Sequence, residues 1–376
     1  MSMDRHTPIR LGQVGGGVGA FIGDVHRIAS RIDGHFTLVA GALSSTPDRA
    51  EESAAALGIA PDRTYSDWAE MARAEAARDD GIEAVSICTP NHLHVPVAKA
   101  FLEQGIHVIC DKPLAATLQE GKDLAALAKS SDALFILTHN YSGYPLVREA
   151  REIVARGDLG AIRVVQVEYP QDWMAEAVEE QGVKQAEWRS DPERAGAGGA
   201  TGDIGTHAFH LARFVTGLKL DRLAADLGAF VPGRKLDDNA NVLLRFEGGA
   251  KGMLWCSQIV PGCENGLRLR IAGEKGGLMW FQEDPNALHY TPLNEPTRRL
   301  TRGGPGTSGA GTRIPAGHPE GYLEAFATIY ADAAHAIRTG ERGLLPDIDD
   351  GVEGMAFVAA CVASSKDDAA WTRLDL

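Results

Sequence analysis

Nothing in the cysteine content of this 376-residue chain points to a metal cage or a disulfide scaffold. Cys88, Cys110, Cys256, Cys263 and Cys361 are scattered, odd in number and without metal-ligand spacing. They read as reduced thiols, and no metal site is expected. Basic charge is also scarce: 37 Lys and Arg stand against 51 Asp and Glu, a formal charge of −14. That balance argues against a phosphate-backbone binder, so no nucleic acid partner is expected. The apolar runs are too short to cross a bilayer, and Met1-Ser2-Met3-Asp4-Arg5-His6 lacks the apolar core of a secretory signal. The expectation is a soluble, cytoplasmic protein without a membrane partner. Internal repeats are missing as well. What remains is an ordinary globular balance, 44% apolar and 23% charged, in a chain long enough for two domains and a sizeable core.

The chain is organised around Val14-Gly15-Gly16-Gly17-Val18-Gly19-Ala20, which follows the apolar segment 9–14 and runs into helix-compatible sequence. In a dinucleotide-binding turn the first glycine makes the bend, the second admits a pyrophosphate, and the third position allows close helix–strand packing. Gly15, Gly17 and Ala20 fit these places, with Val18 among the turn's cofactor contacts. First-turn amides have no intrahelical partners and favour an anion. The same glycine pattern also fits a plain turn. Beyond it, helical spacing over 18–32, 47–57, 66–77, 95–104 and 118–129 alternates with buried-type strands over 36–42, 84–88, 106–110 and 134–138. That alternation predicts a parallel, doubly wound sheet.

From residue 141 the pattern changes. A helix over 146–156 precedes strand-like runs at 162–169, 223–231, 240–246, 252–259, 267–272 and 278–281, with hairpin-type turns at 247–249 and 273–277. These predict a largely antiparallel sheet open on one face. Residues 302–317, rich in Gly, Pro, Ser and Thr, read as a flexible loop with the composition of a lid. Helices over 319–339 and 349–365 close the chain. The domain reading is 1–140 and 141–376, with the terminal helices available to pack back on the first.

Ligands of open α/β sheets bind beyond the carboxyl ends of the strands. Thr89-Pro90-Asn91-His92-Leu93-His94, Asp111-Lys112-Pro113 and His139-Asn140-Tyr141 stand at three such ends. Each also has a bland reading as a helix entry, a surface ion pair or packing. A fourth place is Gly202-Asp203-Ile204-Gly205-Thr206-His207. On an α-helix begun near Thr201, Asp203 and His207 share a face, so the carboxylate can orient the imidazole as a proton acceptor. A first-turn acid and an interior histidine fit the same spacing.

The glycine turn, Cys88-Thr89-Pro90-Asn91, the Asp111-Lys112-Pro113 variant of a Glu-Lys-Pro motif and Gly202-Asp203-Ile204-Gly205-Thr206-His207 occur in the order and approximate spacing of one known family. Over nearly its full length the chain resembles the glucose-fructose oxidoreductase/inositol dehydrogenase/rhizopine catabolism (Gfo/Idh/MocA) family. The resemblance implies an α/β protein: an N-terminal Rossmann doubly wound parallel sheet plus a C-terminal α/β domain whose open, largely antiparallel sheet makes a homodimer or homotetramer. It implies NAD(P)-linked oxidation of a sugar or cyclitol. Lys112 would contact the reacting hydroxyl and nicotinamide ribose, His207 would be the acid/base, and Asp203 would bind substrate or orient His207. Gly15, Gly17, Val18, Ala20, Thr89, Pro90, Asn91, His94, Asp111 and Lys112 would line the cofactor.

Two departures bear on specificity. The second strand ends without the acid that grips a ribose 2′-hydroxyl; Ser44 stands there, and Arg49 fits either a 2′-phosphate or an exposed helix position. The reading favours NAD and leaves NADP open. His139 and Tyr141 lie where many relatives carry an arginine-containing segment, and rings with amides suit a polyol. Asp172, Trp173 and Arg189 are further sugar contacts, with Lys184, Trp188 and Arg194 near the site mouth. An alternative activity is an NAD-dependent glycoside hydrolase, which oxidises a ring hydroxyl transiently, eliminates the aglycone and re-reduces the product. A non-catalytic nucleotide-responsive regulator is the third reading.

Overall fold

The computed structural model describes residues 7–376, the side chains of Lys184, Gln185, Trp188 and Glu193 aside. The described chain divides into two compact units, one of residues 7–115, 119–140 and 322–351, the other of 116–118, 141–321 and 352–376.

The first unit begins with β1 (Ile9–Gly15), α1 (Phe21–Ile32), β2 (Phe36–Ala42), α2 (Pro47–Leu57), α3 (Trp68–Ala76) and β3 (Ala84–Cys88). It continues with α4 (His94–Leu102), β4 (His107–Cys110), α5 (Leu118–Ser130) and β5 (Phe135–Leu137). All five strands are parallel, in the order β2-β1-β3-β4-β5. This is the doubly wound sheet that the alternation predicts. The punctuation is local: Pro47 opens α2 and Gly58 ends it in the left-handed region, while the Asp67 carboxylate accepts the Glu70 amide at 2.7 Å to start α3.

The second unit holds α6 (Pro145–Ala155), β6 (Ile162–Pro170), α7 (Lys184–Arg189), α8 (Pro192–Ala195) and α9 (Thr206–Thr216). There follow β7 (Leu220–Gly228), β8 (Asn239–Phe246), β9 (Lys251–Ser257), β10 (Arg268–Gly273), β11 (Gly276–Phe281), β12 (Ala287–Pro292) and β13 (Arg298–Thr301). The eight strands run β13-β12-β11-β10-β6-β9-β8-β7, antiparallel except for the β6–β9 pair. Val165, Val167, Val242, Leu244, Leu254 and Cys256 are buried on the side where α6 and α9 pack. The alternate residues Val164, Leu243 and Met253 are exposed, the period-2 pattern of a sheet covered on one face.

Two helices finish the chain. α10 (Tyr322–Thr339) belongs to the first unit, and α11 (Ile348–Lys366) begins there and continues in the second. Phe326, Ile329, Tyr330, Ala333 and Ala334 of α10 share one core with Ile9, Leu11, Val25, Ala29 and Phe36. Among the described residues no helix is long and apolar enough to cross a membrane.

The loop at 302–317 departs from its flexible reading. Arg302 and Glu320 are each 2% exposed at the side chain and pair at 2.9 Å. Arg302 also donates to Asn286 Oδ1 and the carbonyls of Ile314, Pro315 and His318. Glu320 accepts the amides of Arg313 and Ile314, and Glu149 accepts that of Ser308 at 2.7 Å. A buried ion pair bonded on both sides to backbone groups holds this segment, whatever its composition suggests. Glu320→Gln leaves a buried guanidinium short of its counter-charge and is expected to cost about 3 kcal/mol. Thermal unfolding checks this; an unchanged Tm would contradict it.

Burial also makes an acid-sensitive group. His210 on α9 is pushed down to about 3, first by burial and then by the Arg213 and Arg151 guanidinium groups. The unfolded chain takes up this proton near pH 6.5 and the folded chain does not, so stability falls as pH drops below that value. At pH 5 the loss from this one residue is about 2 kcal/mol. Between pH 7.5 and 5, His210→Gln is therefore expected to lose less Tm than the parent, and equal losses would refute the assignment.

Candidate active site

The glycine turn is shaped from beneath. Gln13, fully buried, donates to the carbonyls of Gly15 at 3.0 Å and Gly16 at 3.1 Å, and the Arg27 guanidinium takes Gly16 O while pairing with Asp24. With the Gly15 and Gly16 carbonyls bound inward, these oxygens are turned away from an anion at the turn, while the Ala20 amide closes the turn on Gly17 O at 3.0 Å. Gly15, Gly16 and Gly19 have φ of 72°, 63° and 85°. A Cβ at Gly15 would stand 2.8 Å from Cys88 O, and one at Gly17 would stand 2.9 Å from Ser53 Oγ, whereas nothing lies within 4 Å of one at Gly19. The turn is therefore crowded on the sheet side and open at Gly19, the form of a backbone cradle for phosphate.

One role shifts. Ala20 only caps α1; the close helix–turn approach is at Gly23, whose Cβ would lie 2.1 Å from Gly16 O. The packing glycine stands three residues later than the sequence reading has it, because the helix begins only at Phe21. Val18 is exposed on the turn, and its amide donates to Ser53 Oγ at 3.3 Å.

The other strand ends of this unit are tied to one another. His94, 1% exposed, contacts Pro113 O at 2.6 Å through Nδ1 and Thr89 O at 2.9 Å through Nε2. One imidazole thus joins the loop after β3, with Pro90 and the buried Asn91, to the loop after β4, with Lys112 and its cis Pro113. Burial lowers its pKa, against the pull of Asp111 and the two carbonyls. His94 here fastens loops rather than facing outward. Asp111 also turns inward, accepting Thr138 Oγ1 at 3.0 Å and standing 3.8 Å from the buried His26, whose other nitrogen is bonded to Tyr330 at 2.8 Å. Burial alone would push the Asp111 carboxyl up; His26, then Lys112 and His94, outweigh it and hold it at about 2. Ser44 Oγ accepts the Thr46 amide at 3.1 Å, Arg49 is exposed on α2, and His139 is buried.

In the second unit, Asp203 and His207 do not sit on the plain α-helix that the spacing suggests. Thr201–Gly205 is a single π turn leading into α9, and such turns recur at functional sites. The extra residue per turn alters the i, i+4 alignment on which the proposed carboxylate–imidazole pairing depends. Asp203 accepts Gln258 Nε2 at 2.9 Å and Arg189 Nε at 3.3 Å. His207 is 8% exposed, with the Tyr141 ring 4.8 Å from its own. The π turn is clamped at its start by Asp237, whose carboxylate accepts the Gly199 amide at 2.7 Å and the Thr201 amide and hydroxyl at 2.8 and 2.7 Å. A Cβ at Gly199 would lie 2.1 Å from Asp237 O.

Asp172 is a loop acid accepting the Gly262 amide at 3.2 Å, and Trp173 Nε1 donates to Gln171 at 3.1 Å. Tyr141 is 4% exposed and its hydroxyl is bonded to Tyr169, an inward position at odds with a sugar contact. Sequence reasoning misses Gln13, Arg27, Asp237 and Gln258. Only the Gly198-Gly199 pair signals locally that another backbone must come close.

The arrangement matches known proteins over both units. Residues 10–139 match the model of an oxidoreductase family with an NAD-binding Rossmann fold, and residues 147–279 match the model of the GFO/IDH/MocA C-terminal domain. The crystal structure of an oxidoreductase from Sinorhizobium meliloti is 57% identical, covers 98% of this chain and 100% of that one, and superposes with a TM-score of 0.90. An inositol dehydrogenase homolog from Azotobacter vinelandii, solved with NAD+, is 38% identical over 98% of this chain and 97% of its own, with a TM-score of 0.93. Levoglucosan dehydrogenase of Pseudarthrobacter phenanthrenivorans is 30% identical over 74% of this chain and 75% of its own.

Proposed function

This chain belongs to the Gfo/Idh/MocA oxidoreductase family, with an NAD-binding Rossmann domain, and from that premise we propose that it is a sugar or cyclitol dehydrogenase acting on a secondary hydroxyl. The observation that carries this reading is the place of His207, an imidazole on the helix that a π turn introduces, with Asp203 of that turn held by Arg189 and Gln258. Relatives whose structures contain NADH with myo-inositol or levoglucosan support the substrate class.

The glycine turn fits the cofactor, since its carbonyls are taken from below and its open side is at Gly19. Gly15, Gly17, Val18 and the first-turn amides of α1 would hold the pyrophosphate. NAD, when bound, supplies the hydride acceptor. His207 accepts the hydroxyl proton as the C–H bond breaks, and the Lys112 ammonium stabilises the negative charge developing on that oxygen. Asp203 binds a neighbouring hydroxyl. Ser44 offers a neutral acceptor to the adenosine ribose, and the absence of an acid at this point leaves NAD and NADP to be told apart by measurement. The exposed Val164, Leu243 and Met253 on the sheet's outer face support a homodimer or homotetramer in which another copy covers them.

The test is one incubation with NAD, and in parallel NADP, against cyclitols, aldoses, levoglucosan and aryl glycosides, reading reduced nicotinamide and aglycone together. Reduction stoichiometric with substrate supports the dehydrogenase. Aglycone release with no accumulated NADH moves the assignment to the redox-assisted glycosidase, and binding of NAD without turnover of any substrate favours the regulator.

A further inference from the structure

Five side chains of the second unit form a hydrogen-bonded chain that starts beside the His207 ring and ends at Trp173. Tyr169 donates its only hydroxyl proton to Asn265 Oδ1 at 2.7 Å, so in the bond between the two phenols Tyr141 is the donor. Its proton is committed to the interior, while its ring meets that of His207 at 4.8 Å and 80° and stacks parallel to Tyr144 at 6.1 Å. The same Asn265 Oδ1 accepts Gln171 Nε2 at 2.8 Å, and Gln171 Oε1 accepts Trp173 Nε1 at 3.1 Å. The Trp173 ring lies 6.0 Å from the guanidinium carbon of Arg189, which holds Asp203. Asn265 itself is anchored through its backbone amide to Glu283 at 2.9 Å.

We propose that Asn265 is a positioning residue whose single side-chain oxygen fixes two walls at once: the Tyr169–Tyr141 wall against His207 and the Gln171–Trp173 wall beside Arg189 and Asp203. The orientation of the acid/base and the shape of the substrate wall are then set jointly. Tyr141 becomes a support for the imidazole instead of a sugar contact, because it has no proton left to give a ligand. An amide oxygen accepts both donors; a carboxylate of the same shape also does, and an isobutyl group accepts neither. The proposal rests on His207 being the acid/base.

The experiment compares Asn265→Leu, Asn265→Asp and His207→Ala in the full chain, with NAD and the panel polyol oxidised fastest. Asn265→Leu is expected to lower kcat by roughly 10- to 100-fold, the scale of a small misplacement of a reacting group. It should also narrow the difference in kcat/KM between polyols while NADH affinity stays within about twofold. Asn265→Asp, which keeps the acceptor, should recover most of that loss; a purely structural role would not split turnover from cofactor affinity in this way. If Asn265→Leu does not fold, Tyr169→Phe cuts the His207 arm alone and should still lower kcat by roughly 3- to 10-fold. Parent-like turnover in these variants, or equal damage from Leu and Asp, overturns the proposal. A silent His207→Ala overturns the acid/base reading and this proposal with it, whereas a large His207 effect beside a silent Asn265→Leu overturns the proposal alone.

Discussion

His207→Ala is expected to lower kcat by about a thousandfold, the middle of the range for removing a positioned general base, while NADH binds as in the parent. His207 is 8% exposed on α9, in the unit that contains no part of the glycine turn, so its loss touches proton transfer and not the cofactor cradle. The imidazole does not act alone. Tyr141 flanks its ring, and Asp237 clamps the start of the turn that carries it, so the alanine variant keeps its backbone geometry and the kinetic change reports the side chain. Steady-state turnover with saturating NAD, beside a fluorescence titration with NADH, checks both halves. A fall in NADH affinity matching the fall in kcat would mean that the substitution had damaged the fold.

The second large effect is expected at Gly23. A methyl group there would stand 2.1 Å from the Gly16 carbonyl oxygen and 2.6 Å from its Cα, so α1 must move off the turn. Overpacking of this kind costs roughly 1–3 kcal/mol, and the displaced helix end carries the amides that would meet the pyrophosphate. Gly23→Ala should therefore weaken NADH binding by at least about tenfold, since 1.4 kcal/mol is a factor of ten. Gly19→Ala makes the contrast. No atom lies within 4 Å of its Cβ position, and only the left-handed φ of 85° opposes it, at about 1–2 kcal/mol of backbone strain. If Gly19→Ala proved the more harmful for stability, the packing argument at Gly23 would be wrong.

These two residues show what the sequence made legible and what it hid. β2 and α2 begin and end where the apolar run and the proline predict, because both signals are local. β13 is too short and too exposed to stand out, and β12 has only Ala287 and Leu288 buried at its start, with no apolar run behind them. β7 lies three residues earlier than its apolar content suggests, because the Asp238 carboxylate takes the Phe230 and Val231 amides into a turn. Within the site, the motif residues are visible because they cluster along the chain. Gly23 is hidden because its partner is fixed by where α1 starts. Asn265 and Gln258 are hidden because each finds its partners more than fifty residues away, where a lone amide in sequence carries no pattern. The π turn is invisible for a similar reason: it is held by Asp237, 36 residues downstream.

The path of α10 has a consequence for how the protein is made. Phe326, Ile329, Tyr330 and Ala333 complete the core that Leu11, Val25 and Phe36 begin, and the Tyr330 ring meets both Phe36 and His26. A ribosome that has released residues 7–140 has therefore not yet delivered the segment that closes their core. The amino-terminal unit must wait, incomplete, through synthesis of nearly two hundred intervening residues, and a fragment cut before Tyr322 would carry the glycine turn on a sheet with one helix missing.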